Sequence, residues 1–195
     1  MTNFNDKLYT NVLNPISDQY DNTVPNEIQE SFSNIFNNLA FPIRFVNNIL
    51  QLKFKNALEE TYSFILNSTI GIFGIFNVSK NEFNLKKHKE DFGQTLGFYG
   101  IPSGPHIVLP FLGPSNLRDI FSIIPNNTLD PLSSYFYNSN LKIKSSYSNK
   151  LNFFNIINQS PKNMSRYKLV KENSIDLYPI IKDFYEQNRK NQIKE

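Results

Sequence analysis

Between Phe92 and Leu117 the chain runs 26 residues without a lysine, arginine, aspartate or glutamate, yet it is interrupted by Gly93, Gly97, Gly100, Gly104 and Gly113 and by Pro102, Pro105, Pro110 and Pro114. Glycine and proline at that density prevent an ordinary helix. The stretch is equally too apolar for an ordinary solvated loop. Two surroundings remain for such a backbone: the interior of a protein, or the edge of a membrane, where irregular backbone is tolerated only if it is buried in protein or lines a cavity. All seven glycines lie between Gly71 and Gly113, so backbone freedom is concentrated in one third of the chain. Within it Ile107-Val108-Leu109 is the most strand-like run, and an irregular hairpin is expected between Phe98 and Phe111.

A second uncharged run precedes it. Glu60 is the last charge before Lys80, and in the 19 residues between them Phe64, Ile65, Leu66, Ile70, Ile72, Phe73, Ile75, Phe76 and Val78 fall on every face of a helical wheel. A helix apolar all round is buried or sits in lipid. The length approaches the ~20 residues that span a bilayer, but Asn67, Ser68, Thr69, Gly71, Gly74 and Asn77 argue against a spanning helix. Burying nine large apolar side chains at about 1.5–3 kcal/mol each would yield on the order of 15–25 kcal/mol. Composition leaves open whether that burial is in a protein core or in lipid.

Helical patterns frame these runs. Phe4, Leu8, Tyr9, Val12, Leu13 and Ile16 predict a short helix ending near Asn14-Pro15. Pro25, Glu27 and Glu30, with Ile28, Phe32, Ile35, Phe36 and Leu39 at helical spacing, predict an amphipathic helix over 25–40. Pro42 breaks it, and Ile43, Val46, Ile49 and Leu50 carry a second stripe to about Leu52. A third helix starts near Lys55, with Ala57, Leu58, Tyr62, Ile65, Leu66 and Thr69 on one face. Residues 79–91 read as a charged, solvated loop. Ser115 is expected to cap a short helix carrying Leu117, Ile120, Phe121 and Ile124 and stopped by Pro125. From 126 to 172 short helices are expected around aromatic islands at Tyr135–Tyr137 and Phe153-Phe154. Asp176 then caps a final helix to about Lys190, with Leu177, Ile180, Ile181, Phe184 and Tyr185 on one face and Lys182, Glu186 and Arg189 outside.

Catalytic chemistry finds no foothold. Gly100-Ile101-Pro102-Ser103-Gly104 only superficially resembles a nucleophile elbow, which needs glycine two residues before the serine. His88 lies in a lysine-rich loop and His106 in the Gly/Pro stretch, and neither has a spaced partner that would make a metal site. Asp91 and Asp119 bracket the uncharged segment and read as helix caps or partners of Arg118. No phosphate loop fits, because Gly71-x-x-Gly74 has no following Lys-Ser/Thr. The reading is therefore of a non-enzyme with no cofactor and no metal.

The 195 residues fit one domain, able to bury roughly two-thirds of its unfolded surface. Without cysteine there are no disulfides, thiolate sites or lipid-attachment thiol. No signal-peptide core is visible between Met1 and Asn14. The formal net charge of +3 is unevenly spread: residues 131–171 hold Lys142, Lys144, Lys150, Lys162, Arg166, Lys168 and Lys171 and no acid. That distribution favours an anionic surface. The basic residues follow no helical stripe, so nucleic acid is not an expected partner.

Taken together, these residues resemble the MlaA (VacJ) family of outer-membrane lipoproteins. The resemblance begins with Phe4-Asn5-Asp6-Lys7-Leu8-Tyr9, Val12-Leu13-Asn14-Pro15 and Val24-Pro25. It continues through Ser33-Asn34-Ile35-Phe36-Asn37-Asn38-Leu39, Val46-Asn47, Leu50-Gln51 and Phe64 to Gly71. Its strongest portion is Phe92-Gly93-Gln94-Thr95-Leu96-Gly97, Tyr99-Gly100, Gly104-Pro105, Leu109-Pro110-Phe111, Gly113-Pro114-Ser115 and Leu117-Arg118-Asp119. Asp176-Leu177-Tyr178 and Asp183 to Arg189 look like its closing segment. Residues 4–124 and 174–190 carry the match within a single domain over 1–195, and 126–172 match poorly.

The resemblance implies a mainly α, ring-shaped single domain of amphipathic helices with an irregular Gly/Pro-rich hairpin segment. It implies a protein in the inner leaflet of the outer membrane, lipid-anchored in a longer precursor. Such a protein removes mislocalised phospholipid from the outer leaflet through an amphipathic channel and passes it to a periplasmic MlaC-like carrier, in association with a trimeric porin. On this reading Phe64, Ile65, Ile70, Ile72, Phe73, Ile75 and Phe76 form the membrane-facing rim. Phe98, Tyr99, Gly100, Ser103, Gly104, His106, Leu109 and Phe111 form a channel wall or gate hinged at Gly100 and Gly104, and Asn34, Asn38, Asn67, Arg118 and Asp119 are structural. The basic 131–171 region, or the Lys86-Lys87-Lys89 loop, would dock the carrier or anionic headgroups. The competing class is a membrane-associated scaffold or adhesin bound to porins without transport.

Overall fold

A computed structural model describes residues 1–132 and 145–195. Its helices are α1 (Thr2–Leu8), α2 (Asn14–Thr23), α3 (Asn26–Leu39), α4 (Phe41–Leu50), α5 (Phe54–Thr69), α6 (Val78–Asn81), α7 (Phe92–Phe98), α8 (Leu117–Leu129), α9 (Ser145–Glu172) and α10 (Leu177–Lys194). One antiparallel hairpin, β1 (His106–Leu109) and β2 (Gly113–Asn116), pairs His106 with Asn116 and Leu109 with Gly113. The chain is thus mainly α, with one small hairpin among its described residues.

Several boundaries move for identifiable reasons. Pro15 does not end the first helix. A π-helical turn, Tyr9–Leu13, widens the backbone just before it, and the helix continues as α2 with proline near its start. The cap of α8 is Asn116, whose carboxamide oxygen accepts the Asp119 amide at 2.9 Å, and α8 runs on through Pro125. Instead of short helices, residues from Ser145 onward form one helix of 28 residues that contains Pro161. The expected aromatic island at Tyr135–Tyr137 and the basic residues Lys142 and Lys144 lie outside the described residues. In α10 Asp176 is the cap, accepting from Tyr178. The inside and outside of that helix are partly reversed, however: Arg189 is buried and Phe184 is exposed.

That reversal recurs across the molecule. Among the described residues the buried apolar side chains are Phe36, Ala57, Ile157 and Met164. Three of them sit in the seam where α9 packs on α2 and α3, and there Phe154 makes edge contacts with Tyr20 and Phe32 and a tilted one with Phe36. The rest of the interior is polar. Asn47, Asn48, Gln51, Glu60, Asn67, Gln94, Thr95, Asn116, Arg118 and Asp119 are all buried, whereas Phe54, Leu58, Tyr62, Ile65, Ile70, Phe73, Phe111, Phe121 and Ile124 are exposed.

On α5 the inversion is clear from spacing alone. Ala57, Glu60, Ser63 and Asn67 share the inward face, and Leu58, Tyr62 and Ile65, expected to share a face with Ala57, point out. An exposed apolar surface of this breadth is what a chain presents to lipid or to another protein, not to water. No described helix is long and apolar enough to cross a membrane.

Candidate functional site

The polar interior is built from two connected clusters. In the first, Arg44 of α4 donates from Nε to Glu60 of α5 at 2.7 Å and from Nη1 to the Asn37 carbonyl. The other oxygen of Glu60 accepts the His88 amide at 2.6 Å. Gln51 donates to Glu90 and to Thr95, Lys53 pairs with Glu90 at 2.7 Å, and the Thr95 hydroxyl donates to Asn47. The segment 79–91 is solvated over most of its length, with Lys80, Glu82, Lys86 and Lys89 exposed, but its far end turns inward. Glu90 is buried, and burial, then the neighbouring Arg44 charge, lowers the Lys87 pKa to about 8.

The second cluster centres on Arg189 of α10. Its guanidinium donates to both oxygens of Asp91 at 2.7 and 2.9 Å and to both oxygens of Asp119 at 2.8 and 3.0 Å. Arg118 and the Tyr185 hydroxyl also donate to Asp119. Burial pushes the Asp119 carboxyl up, but the bonds from Arg189 and Tyr185 outweigh it and hold the pKa below its ordinary value. Burial and then the Asp119 bond push the Tyr185 phenol up. A side chain at Gly93 would collide here, its Cβ 2.5 Å from the Arg189 guanidinium, so glycine is what lets α7 approach α10.

The hairpin is tied down at both ends. Asn5 of α1 donates to the Leu109 carbonyl at 2.8 Å and accepts from the Phe111 amide at 3.0 Å, imitating a paired strand across the turn. Tyr9 donates to the Phe111 carbonyl, and Phe4 packs edge-on against the Phe111 ring. Phe111 itself takes a left-handed backbone, φ +66°. At the other end His106 Nδ1 lies 3.2 Å from Glu186 of α10, and the His106 ring packs between Tyr178 and Tyr185. Tyr99 donates to the Leu50 carbonyl, and the Ser103 carbonyl accepts the Arg118 amide. Gly100 and Gly104 are both left-handed; an added Cβ at Gly100 would meet nothing, whereas one at Gly104 would sit 3.1 Å from Leu117 Cβ.

Ile65, Ile70, Ile72, Phe73 and Phe76 are exposed, Phe64 stacks on Phe41 at 4.5 Å, and Ile75 is half-buried. Residues 70–76 form a finger at the end of α5. In it Ile72, Phe73 and Gly74 are left-handed in succession, and Phe73 is 80% exposed. Asparagines brace its base. Asn34 donates to the Ile75 carbonyl, Asn38 to Ser68, and Asn67 both donates to the Ser79 hydroxyl and accepts the Ser79 amide.

A sizeable cavity lies elsewhere. It is a groove of about 880 Å³ between α3 and α9, lined by Asp21, Gln29, Glu30, Ser33, Asn37, Lys89, Asn158, Lys162 and Arg166 among others. Asn158 forms part of its polar lining, accepting from Tyr20 at 2.6 Å and donating to Gln29 and Ser33. Its size and polarity suit a small charged group. None of the eight residues expected to form a wall or gate lines it. Lys162 and Arg166 were visible in the sequence as part of a basic region. Asp21, Glu30 and Asn158 carried no signal, because only the antiparallel approach of α9 brings them to one place. No described cluster of His, Asp or Glu has metal-binding geometry.

Comparison with known proteins agrees with this architecture. An uncharacterised protein of Rickettsia typhi is 34% identical over 136 residues, 69% of this chain and 54% of the relative. The intermembrane phospholipid transport system lipoprotein MlaA of Escherichia coli is 33% identical over 122 residues, 61% of this chain and 49% of that protein. The chain thus spans about half the length of these curated relatives. A solved structure described as the structural basis for maintenance of bacterial outer membrane lipid asymmetry superposes with a TM-score of 0.75 at 25% identity, covering 95% of this chain and 90% of the other. With a profile match to the MlaA lipoprotein family over residues 1–192, the inverted interior, the braced hairpin and these likenesses have one common origin: the chain belongs to that family.

Proposed function

We propose that this protein takes part in phospholipid transport at the outer membrane, moving misplaced phospholipid out of the outer leaflet and handing it to a soluble periplasmic carrier of the MlaC type. The observation that carries this reading is the inverted burial: a polar interior inside an apolar exterior, with no described helix long and apolar enough to span. Such a body rests stably within one leaflet, its exposed Leu58, Tyr62, Ile65, Ile70, Phe73 and Phe76 covered by acyl chains. Phospholipid then needs a polar route for its headgroup past that apolar exterior, and the groove between α3 and α9 offers one.

On this reading residues 98–111 would act as a gate or channel wall hinged at Gly100 and Gly104, apart from the groove itself, whose lining they do not join. A trimeric porin is the neighbour that would hold the protein at the outer-membrane inner leaflet. The names carried by relatives support a transport role and not a reaction.

The test is lipid analysis of protein extracted without detergent, followed by transfer to a periplasmic carrier. Stoichiometric phospholipid that moves to the carrier is the expected result. A lipid-free protein that transfers nothing would leave a porin-bound scaffold as the better description.

A further inference from the structure

The charges that close the seam between the N-terminal helices and α9 form a series. The helices run antiparallel, since Tyr9 meets Tyr167 while Tyr20 meets Asn158. Lys171 reaches Asp6 at 2.6 Å and Lys168 reaches Asp18 at 3.5 Å. Lys89, from the 79–91 segment, also lines the groove; of the helix-borne charges where the elements part to open it, the next are Asp21 and Glu30 on the α2–α3 side and Arg166 and Lys162 on α9. Among the described residues no ion pair joins those four across the opening. The groove therefore has an acidic wall and a basic wall with a neutral, hydrogen-bonded Asn158 between them.

Opposite walls held apart make a fixed dipole. In open water each wall is solvated and the arrangement costs little. When a headgroup displaces that water, every wall charge left without a partner loses its hydration. A headgroup with phosphate alone satisfies Lys162 and Arg166 but brings its anion toward Asp21 and Glu30. A headgroup with both phosphate and ammonium satisfies both walls at once.

Resting on the transport reading above, we infer that the groove selects a zwitterionic phosphodiester headgroup bearing an ammonium, of the ethanolamine kind, over an anionic one such as phosphoglycerol. Selectivity here arises from the penalty placed on the wrong headgroup as much as from contacts to the right one. Asp21 and Glu30 are the specificity-determining residues, and Lys162 and Arg166 hold the phosphate that both headgroups share.

The experiment incubates the protein with vesicles of equal ethanolamine and glycerol phospholipid with identical acyl chains, then measures the headgroup ratio of the lipid retained. Ethanolamine lipid should be enriched about 2- to 5-fold, the range that one or two exposed charge contacts support. The Asp21→Asn, Glu30→Gln double variant should return the ratio to that of the vesicles or invert it. Because the readout is a ratio within one sample, partial loss of folded protein does not imitate this result. Lipid retained at the input ratio, or a ratio unmoved by the double variant, overturns the selectivity and leaves transport standing. Failure to retain lipid at all overturns both.

Discussion

Replacing Arg189 with alanine tests whether the buried charge cluster holds α10 to the rest of the fold. The guanidinium makes four hydrogen bonds to two carboxylates, and removing it strands Asp119, which is buried. Breaking one side of a buried ion pair costs about 3–5 kcal/mol. Two features lower that figure. The Asp91 side chain is 31% exposed, so water takes over its solvation, and Arg118 at 3.1 Å and Tyr185 at 2.6 Å still serve Asp119. A loss of about 3 kcal/mol follows, the lower end of the range.

In urea titrations in detergent micelles, with a slope near ~2 kcal/mol per molar, the midpoint should fall by roughly 1.5 M with the slope unchanged. Arg189→Lys keeps the charge but not the planar fork and should recover about half of the loss. A destabilisation below about 1 kcal/mol for Arg189→Ala would place the pair among surface ion pairs and refute the reasoning.

Other perturbations address separate parts of the structure. Lys87→Met should stabilise the protein at pH 7 by about 1–2 kcal/mol, after discounting for partial exposure. Both states of the lysine are charged below its folded pKa of about 8, so the penalty is complete there; it fades as pH rises toward the ordinary 10.5, and the advantage of methionine should fade with it in the same titrations. Asp119 titrates below its ordinary 3.8 in the fold, so its contribution is present above that pH and is lost as pH falls beneath it. Asp119→Asn should flatten the acid limb of an unfolding curve followed by circular dichroism. Phe73→Ser, at the tip of the 70–76 finger, should weaken flotation with vesicles roughly tenfold or more, as loss of a buried aromatic of about 1.5–3 kcal/mol requires, with helix content unchanged. Asn5→Ala should free the hairpin turn, seen as faster amide exchange at Phe111 than elsewhere in β1 and β2.

Much of the helical framework could be read from local pattern. Pro25 and Glu27 at the start of α3, Asp176 before α10 and the glycines that open the hairpin all act within a turn or two of chain. Their effects therefore appear in the order of residues alone. Family resemblance was carried by the same local signals, and Phe4-Asn5 now has a physical role: Asn5 pairs with the hairpin turn over a hundred residues away. Boundaries went astray where a local breaker was overridden. Pro15 is absorbed by the π-turn before it, Pro125 and Pro161 sit inside helices, and the polar composition of α9 gave little periodic signal.

What the sequence determined by itself was the inventory: which segments are uncharged, where the backbone can bend, and which helices are amphipathic. Which face of each helix points inward was decided only by tertiary structure. Amphipathic spacing is the same whether the apolar stripe meets a core or an acyl chain, and it carries no sign. The sign came from the partners. Glu60 found Arg44 on α4, Arg189 found Asp91 and Asp119 on α7 and α8, and Asn158 found Tyr20 and Ser33. Each of those bonds joins residues far apart in the chain. Once polar groups satisfy one another inside, the apolar faces have only the outside left to them, and the groove between α3 and α9 opens where the antiparallel ion-pair series runs out of reach.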